Sequence, residues 1–177
     1  FGTEAWLELA INYRDMGKPD EALVELAPLQ NPDRGHRIAS RALYEAGVIH
    51  HQLYMNNKTT APDKAAMHAK SAREAFKKLW LLYPDREDED QAKRAYLALA
   101  ELQQASGDAA GEIKTLEELA TAHPESPYAT YAKAVLAIRA NKMERADTYL
   151  RQTIEQAKSA GDGDLQRRAD ELLRRGR

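Results

Sequence analysis

The sequence predicts an all-α chain of about four helix-turn-helix repeats closed by a C-terminal capping helix. The first observation is a period: Gly107 and Asn141 stand 34 residues apart, each in a stretch with the chemistry of a turn between helices. The second is the order of large and small apolar residues around those turns. Trp6, Leu9, Ala10 and Tyr13 precede Gly17, with Ala22 and Leu26 after it. Tyr96, Leu99 and Ala100 precede Gly107, with Leu116, Leu119 and then Pro124 after it; Ala134 precedes Asn141, with Ala146 and Leu150 after it. The third is the three- and four-residue spacing inside each group, which puts the side chains on one helical face.

Residues 3–34 make the first repeat. Its first helix runs from about Thr3 to Met16, turns at Gly17 and restarts at Pro19, whose fixed φ suits a first helical position. Asn31-Pro32 stops the second helix. Residues 36–85 make the second repeat, where Leu43, Ala46, Gly47 and Leu53 keep helical spacing outward and Ala65, Ala72, Phe76, Leu79 and Trp80 line a return helix over about 64–83. Aligned on the first repeat, this one holds 13 extra residues. Met55 to Asp63 is rich in turn chemistry, so it is expected to be a loop at the tip of a hairpin protruding from the repeat array. Loop length costs only about 0.6 kcal/mol per doubling, which makes a tolerated insertion one reading and an interaction element the other.

The acidic run 85–90 complements the dipole of the helix after it and lacks the alternating ligand spacing of a calcium loop. Residues 89–124 and 126–160 make the third and fourth repeats, the latter opening on Ser126-Pro127, a cap followed by proline at the first helical position. Residues 163–175 then carry Leu165, Ala169, Leu172 and Leu173 on one side and Arg167, Arg168, Asp170, Glu171 and Arg174 on the other. A terminal repeat needs such a polar outer face. The whole reads as one domain, 1–177, and the start at Phe1 without Met or a signal peptide is expected of a fragment of a longer protein.

Lys plus Arg number 26 against 28 Asp plus Glu, a net charge of −2 spread through the chain. This balance argues against nucleic acid or an anionic membrane as the main partner, and Arg167, Arg168, Arg174, Arg175 and Arg177 are interspersed with acids. The absence of cysteine excludes disulfides and thiolate metal sites and suits an oxidising compartment without requiring one. No apolar run approaches the roughly 20 residues that span a bilayer.

The pattern resembles the tetratricopeptide repeat, the 34-residue unit with W-x2-L-G-x2-Y in its first helix and Ala, Phe and Pro after it. The resemblance implies a right-handed α-solenoid in which small residues, here Ala10, Gly47, Ala100 and Ala134, meet Ala22, Ala72 and Ala146 across each helix pair. Glu112 departs from that pattern. It also implies a concave groove lined by the first helices. The corresponding positions are Leu7, Ile11 and Arg14, with Glu4 and Asp15; Arg41, Tyr44, Val48 and His51, with Gln52; Arg94, Leu97 and Glu101, with Gln104 and Ala105; and Tyr128, Tyr131, Val135 and Arg139, with Ile138. An extended peptide or a partner helix with acidic groups suits that set. The carboxylate clamp of co-chaperone domains is absent, since Leu7, Ile11, Tyr44 and Val48 occupy its places. The junctions Leu82-Tyr83-Pro84-Asp85 and Ala122 to Ala129 resemble those of bacterial cell-envelope members of the family, including outer-membrane assembly lipoproteins and Tol-Pal-associated periplasmic factors, which implies a periplasmic or envelope setting.

No nucleophile elbow, phosphate-binding loop, dinucleotide fingerprint or zinc-protease helix is present. His36, His50, His51, His68 and His123 are expected to act singly, because neighbouring His50 and His51 diverge by about 100° on a helix. The chain is therefore expected to be non-catalytic, without cofactor or metal, and to serve as a protein-binding scaffold. Two alternatives stay open: a homo-oligomer formed through the N-terminal face or the hairpin from Tyr54 to Ala66, and an accessory domain of a larger enzyme or secretion machine.

Overall fold

Helix follows helix, and most boundaries among the described residues carry glycine, proline or a capping residue. The computed structural model describes residues 2–83 and 91–176. Its chain divides into two units, Phe1–Ala105 and Ser106–Arg177. Pro84, the acidic run 85–90 and the start of the third repeat at Glu89 lie outside the described residues.

The first unit holds α1 (Thr3–Asp15), α2 (Pro19–Leu26), α3 (His36–Asn57), α4 (Pro62–Leu82) and α5 (Gln91–Ala105). α1 ends because Gly17 takes φ +71, a left-handed conformation that glycine adopts without a Cβ clash. That bend lets the Lys18 N–H reach the Tyr13 carbonyl at 2.9 Å, closing the last helical turn. α2 is shorter than the sequence suggested. Pro28 has no N–H to continue an α-helical ladder, so the chain tightens into a 3-10 turn over Ala27–Gln30 that still buries Leu29.

α1 packs on α2 and α3, and α3 packs on α4 and α5. Two apolar clusters follow. Leu7, Ala10, Ala22, Leu26 and Ile49 fill the first; Leu43, Ala72, Phe76, Leu79, Leu99 and Leu102 fill the second. Ala10, Ala22 and Ala72 are fully buried, as the small-residue contacts require. At Gly47 the approach is closer still. A Cβ there would lie 2.7 Å from Cδ1 of the Phe76 ring, so the missing side chain is what lets α3 and α4 meet.

The tip of the hairpin differs from expectation. Met55, Asn56 and Asn57 belong to α3, and the turn is confined to residues 58–61. Tyr54 and Ala65, expected near a free tip, are buried within the unit. The Tyr54 hydroxyl donates to the Ala105 carbonyl at 3.0 Å, so the long hairpin reaches the end of α5. This burial removes both residues from any self-association surface.

The second unit holds α6 (Ala109–Ala122), α7 (Pro127–Arg139), α8 (Met143–Ala160) and α9 (Gly163–Arg175), each packed on the next. Asn141, one period after Gly107, takes φ +56, and the Lys142 N–H bonds the Ala137 carbonyl at 2.8 Å. This repeats the geometry at Gly17. Asp108, Ser126 and Asp162 cap α6, α7 and α9 by accepting from Gly111, Ala129 and Leu165 N–H groups. Ala134, Ala146 and Leu150 are buried. α9 buries Leu165, Ala169 and Leu173, and Arg167 and Arg168 on its outer side pair with Asp164 at 2.6 and 2.8 Å.

Candidate functional site

In the first unit the expected binding positions come from α1, α3 and α5. Between α1 and α3 lies a cleft of about 270 Å³ lined by Glu4, Leu7, Glu8, Arg37, Ile38 and Arg41. Leu7 is only 1% exposed and forms its floor. Across the mouth Arg37 pairs with Glu4, and Arg41 with Glu8 at 3.1 Å. Deeper along the same helices Arg14 pairs with Asp15 at 2.8 Å and with Glu45. Burial pushes the Glu45 carboxyl above its ordinary value while Arg14 and Arg41 draw it down. Two of the arginines expected to meet a partner, Arg14 and Arg41, are therefore already matched by carboxylates on adjacent helices.

Ile11, Tyr44 and Val48 are half-buried against the two apolar clusters, with the Tyr44 ring tilted on Phe76 at 6.4 Å. His51 and Glu101 are half-buried and Arg94 is exposed. Leu97 is buried within its unit, at 4% exposure. It supports this face from beneath instead of lining it.

In the second unit the expectation needs three corrections. Tyr128 and Tyr131 are buried; the Tyr128 hydroxyl donates to Asp162, the residue that caps α9. A tyrosine long enough to reach past α8 to the start of α9 satisfies its hydroxyl there. Arg139 is held by Glu112 through three hydrogen bonds, from Nε to both carboxylate oxygens at 3.2 and 3.1 Å and from Nη2 to Oε1 at 2.7 Å. Glu112, with its side chain 5% exposed, thus exchanges the usual small-residue contact for an ion pair. Val135 remains half-buried and available at the surface.

Sequence reasoning also missed a pair of histidines. The Nδ1 atoms of His50 on α3 and His68 on α4 lie 3.2 Å apart. The signal was the hairpin register: three residues forward from Gly47 and four back from Ala72 are opposite one another. Burial and the neighbouring His68 hold His50 below its ordinary pKa. Its neutral form is favoured in the folded chain, so the unfolded chain binds more protons once the pH drops below about 6.5. Stability contributed by neutral His50 is fully present above that pH and is lost on acidification. The His50 contribution to the unfolding free energy of the first unit, read from urea titrations, is expected to fall between pH 7 and pH 5, by at most about 1.4 kcal/mol per pH unit for one proton. His50→Gln should flatten that dependence; an unchanged slope overturns the assignment.

Among the described residues no group of three or more His, Asp or Glu side chains is placed to hold a metal ion, and none of the helices is long and apolar enough to cross a membrane. Residues 88–126, which include α5, the turn at Gly107 and α6, match the family model of the tetratricopeptide repeat. No curated protein matches the chain.

Proposed function

We propose that this chain, whose residues 88–126 match the tetratricopeptide-repeat family model, is a non-catalytic scaffold receiving a segment of another protein along the first helices of its repeats. Tetratricopeptide repeats mediate protein–protein interaction. The observation that carries the reading here is the α1–α3 cleft, where Leu7 and Arg41, both taken from the family's binding positions, line one concavity. Its mouth is crossed by exposed ion pairs, and such pairs are worth about 0–1 kcal/mol each. A partner can exchange them at little cost. Ile11, Tyr44 and Val48 supply apolar contact along the same helices. Arg41 and Arg94 set orientation, while Arg14, held by Glu45, braces α1 against α3; His51 and Glu101 are further expected contacts of the first unit, and Val135 is one of the second.

A photo-reactive phenylalanine analogue placed at Val48 tests this directly. Cross-linking to a discrete protein from an extract of the source cells, absent when the probe is moved to exposed Lys77 on α4, is the expected result. Equal labelling from both positions overturns the groove reading. The envelope setting drawn from the junction segments is tested by the same product, whose identity as an assembly or export component supports it.

A further inference from the structure

We propose that the second unit carries a separate docking cleft for an acidic, leucine-bearing segment of a partner protein, set among α6, α7 and α8. The cleft encloses about 420 Å³. Leu136, Ala137 and Tyr149 form its apolar side, and Ile113, 38% exposed, extends it along α6. Lys133, Lys142 and Arg145 stand around it. Among the described residues none of these three cations is engaged in an ion pair, in contrast to Arg139, whose charge is met by Glu112. Glu117 is the single acid in the lining, which leaves a cationic balance in a chain whose net charge is −2.

The first turn of α8 adds to this. α6, α7 and α9 each have a side-chain cap, whereas Lys142 at the start of α8 makes none. The amide N–H groups of that turn, without a side-chain cap, follow Lys142 in the chain and favour a carboxylate in addition to that of Glu144 in the same turn. The apolar side selects against a free phosphate, which has nothing to bury there. Three cations are also too few for the extended basic stripe that tracks a nucleic-acid backbone. Two or three carboxylates flanking a leucine match both halves of the cleft. This surface uses none of Leu7, Arg41, Tyr44 or Val48, so it stands or falls independently of the first-helix groove.

The test is a titration of the isotope-labelled full chain with an end-blocked hexapeptide alternating glutamate and leucine, followed by amide NMR shifts. Shifts centred on Lys133, Lys142 and Arg145 are expected, with affinity weakened about fivefold or more in Lys133→Glu/Arg145→Glu. The same peptide with lysine replacing glutamate should leave those amides unmoved. Both substitutions are at solvent-accessible positions, and circular dichroism verifies that the variant keeps its helices. Shifts confined to α1 and α3, unaffected by the charge reversals, overturn this cleft and support the groove instead. Absence of shifts at millimolar peptide, or equal shifts with the lysine peptide, overturns it as well.

Discussion

Phe76→Ala is expected to destabilise the first unit by about 3–5 kcal/mol, the range for removing a buried aromatic ring. Phe76 is fully buried, and its ring occupies the space that Gly47 leaves open between α3 and α4. With Gly47 offering no side chain to fill the space the ring vacates, a cavity term adds to the lost transfer energy. Tyr44 also loses the ring it leans on. The measurement is urea unfolding followed by tryptophan emission. Both tryptophans, Trp6 and Trp80, belong to the first unit, and Trp80 stacks on Tyr96 with ring centroids 4.1 Å apart. A loss below about 1 kcal/mol contradicts the packing at Gly47 described above.

Arg139→Ala should cost the second unit about 3 kcal/mol, at the lower end of the range for breaking a buried ion pair. The two partners are unequally placed: the Arg139 side chain is 35% exposed and that of Glu112 is 5% exposed. Removing the arginine strands a carboxylate away from water. Removing the carboxylate by Glu112→Ala leaves a guanidinium that water can reach, so the cost should be smaller, about 1–2 kcal/mol. The double change Glu112→Leu/Arg139→Met should recover most of the loss, because an apolar pair of similar volume incurs no charge desolvation. Amide hydrogen exchange in α6 and α7 reads all three variants in the unit that has no tryptophan. Equal costs for the two single variants overturn the asymmetry. The same argument makes Arg139 a poor probe of partner binding, since its loss unsettles the helices before it touches a surface.

What could be read from the sequence was local. Gly17 and Asn141 at the turns, Pro19 and Pro127 at helix starts, and the alternation of small and large apolar residues each depend on neighbours a few positions away, and they recur where the helices begin, end and touch. The resemblance to the repeat family rests on these features and on the match over residues 88–126. Features that depend on which residue stands opposite were less legible. Glu112 looked like a defect in an alanine position until Arg139 was found across from it. Tyr128 and Tyr131 fell at outward-facing positions of the repeat, yet both are buried, and the length of Tyr128 carries its hydroxyl to Asp162. The end of α2 was misjudged because Pro28 lies before the Asn31-Pro32 stop. The cationic cleft draws its lining from three helices, and no single periodicity announces such a convergence.

The bond between Tyr54 and Ala105 changes the meaning of the extra length in the second repeat. The last carbonyls of a helix have no partner within it, and the Ala105 carbonyl, at the end of α5, is reached by a hydroxyl from 51 positions earlier in the chain. Trimming the α3–α4 hairpin to the length of an ordinary repeat would withdraw that hydroxyl and leave the final turn of α5 to fray. The extension is a splint across the repeat array's own seams, and grafting a standard repeat in its place would exchange reach for uniformity.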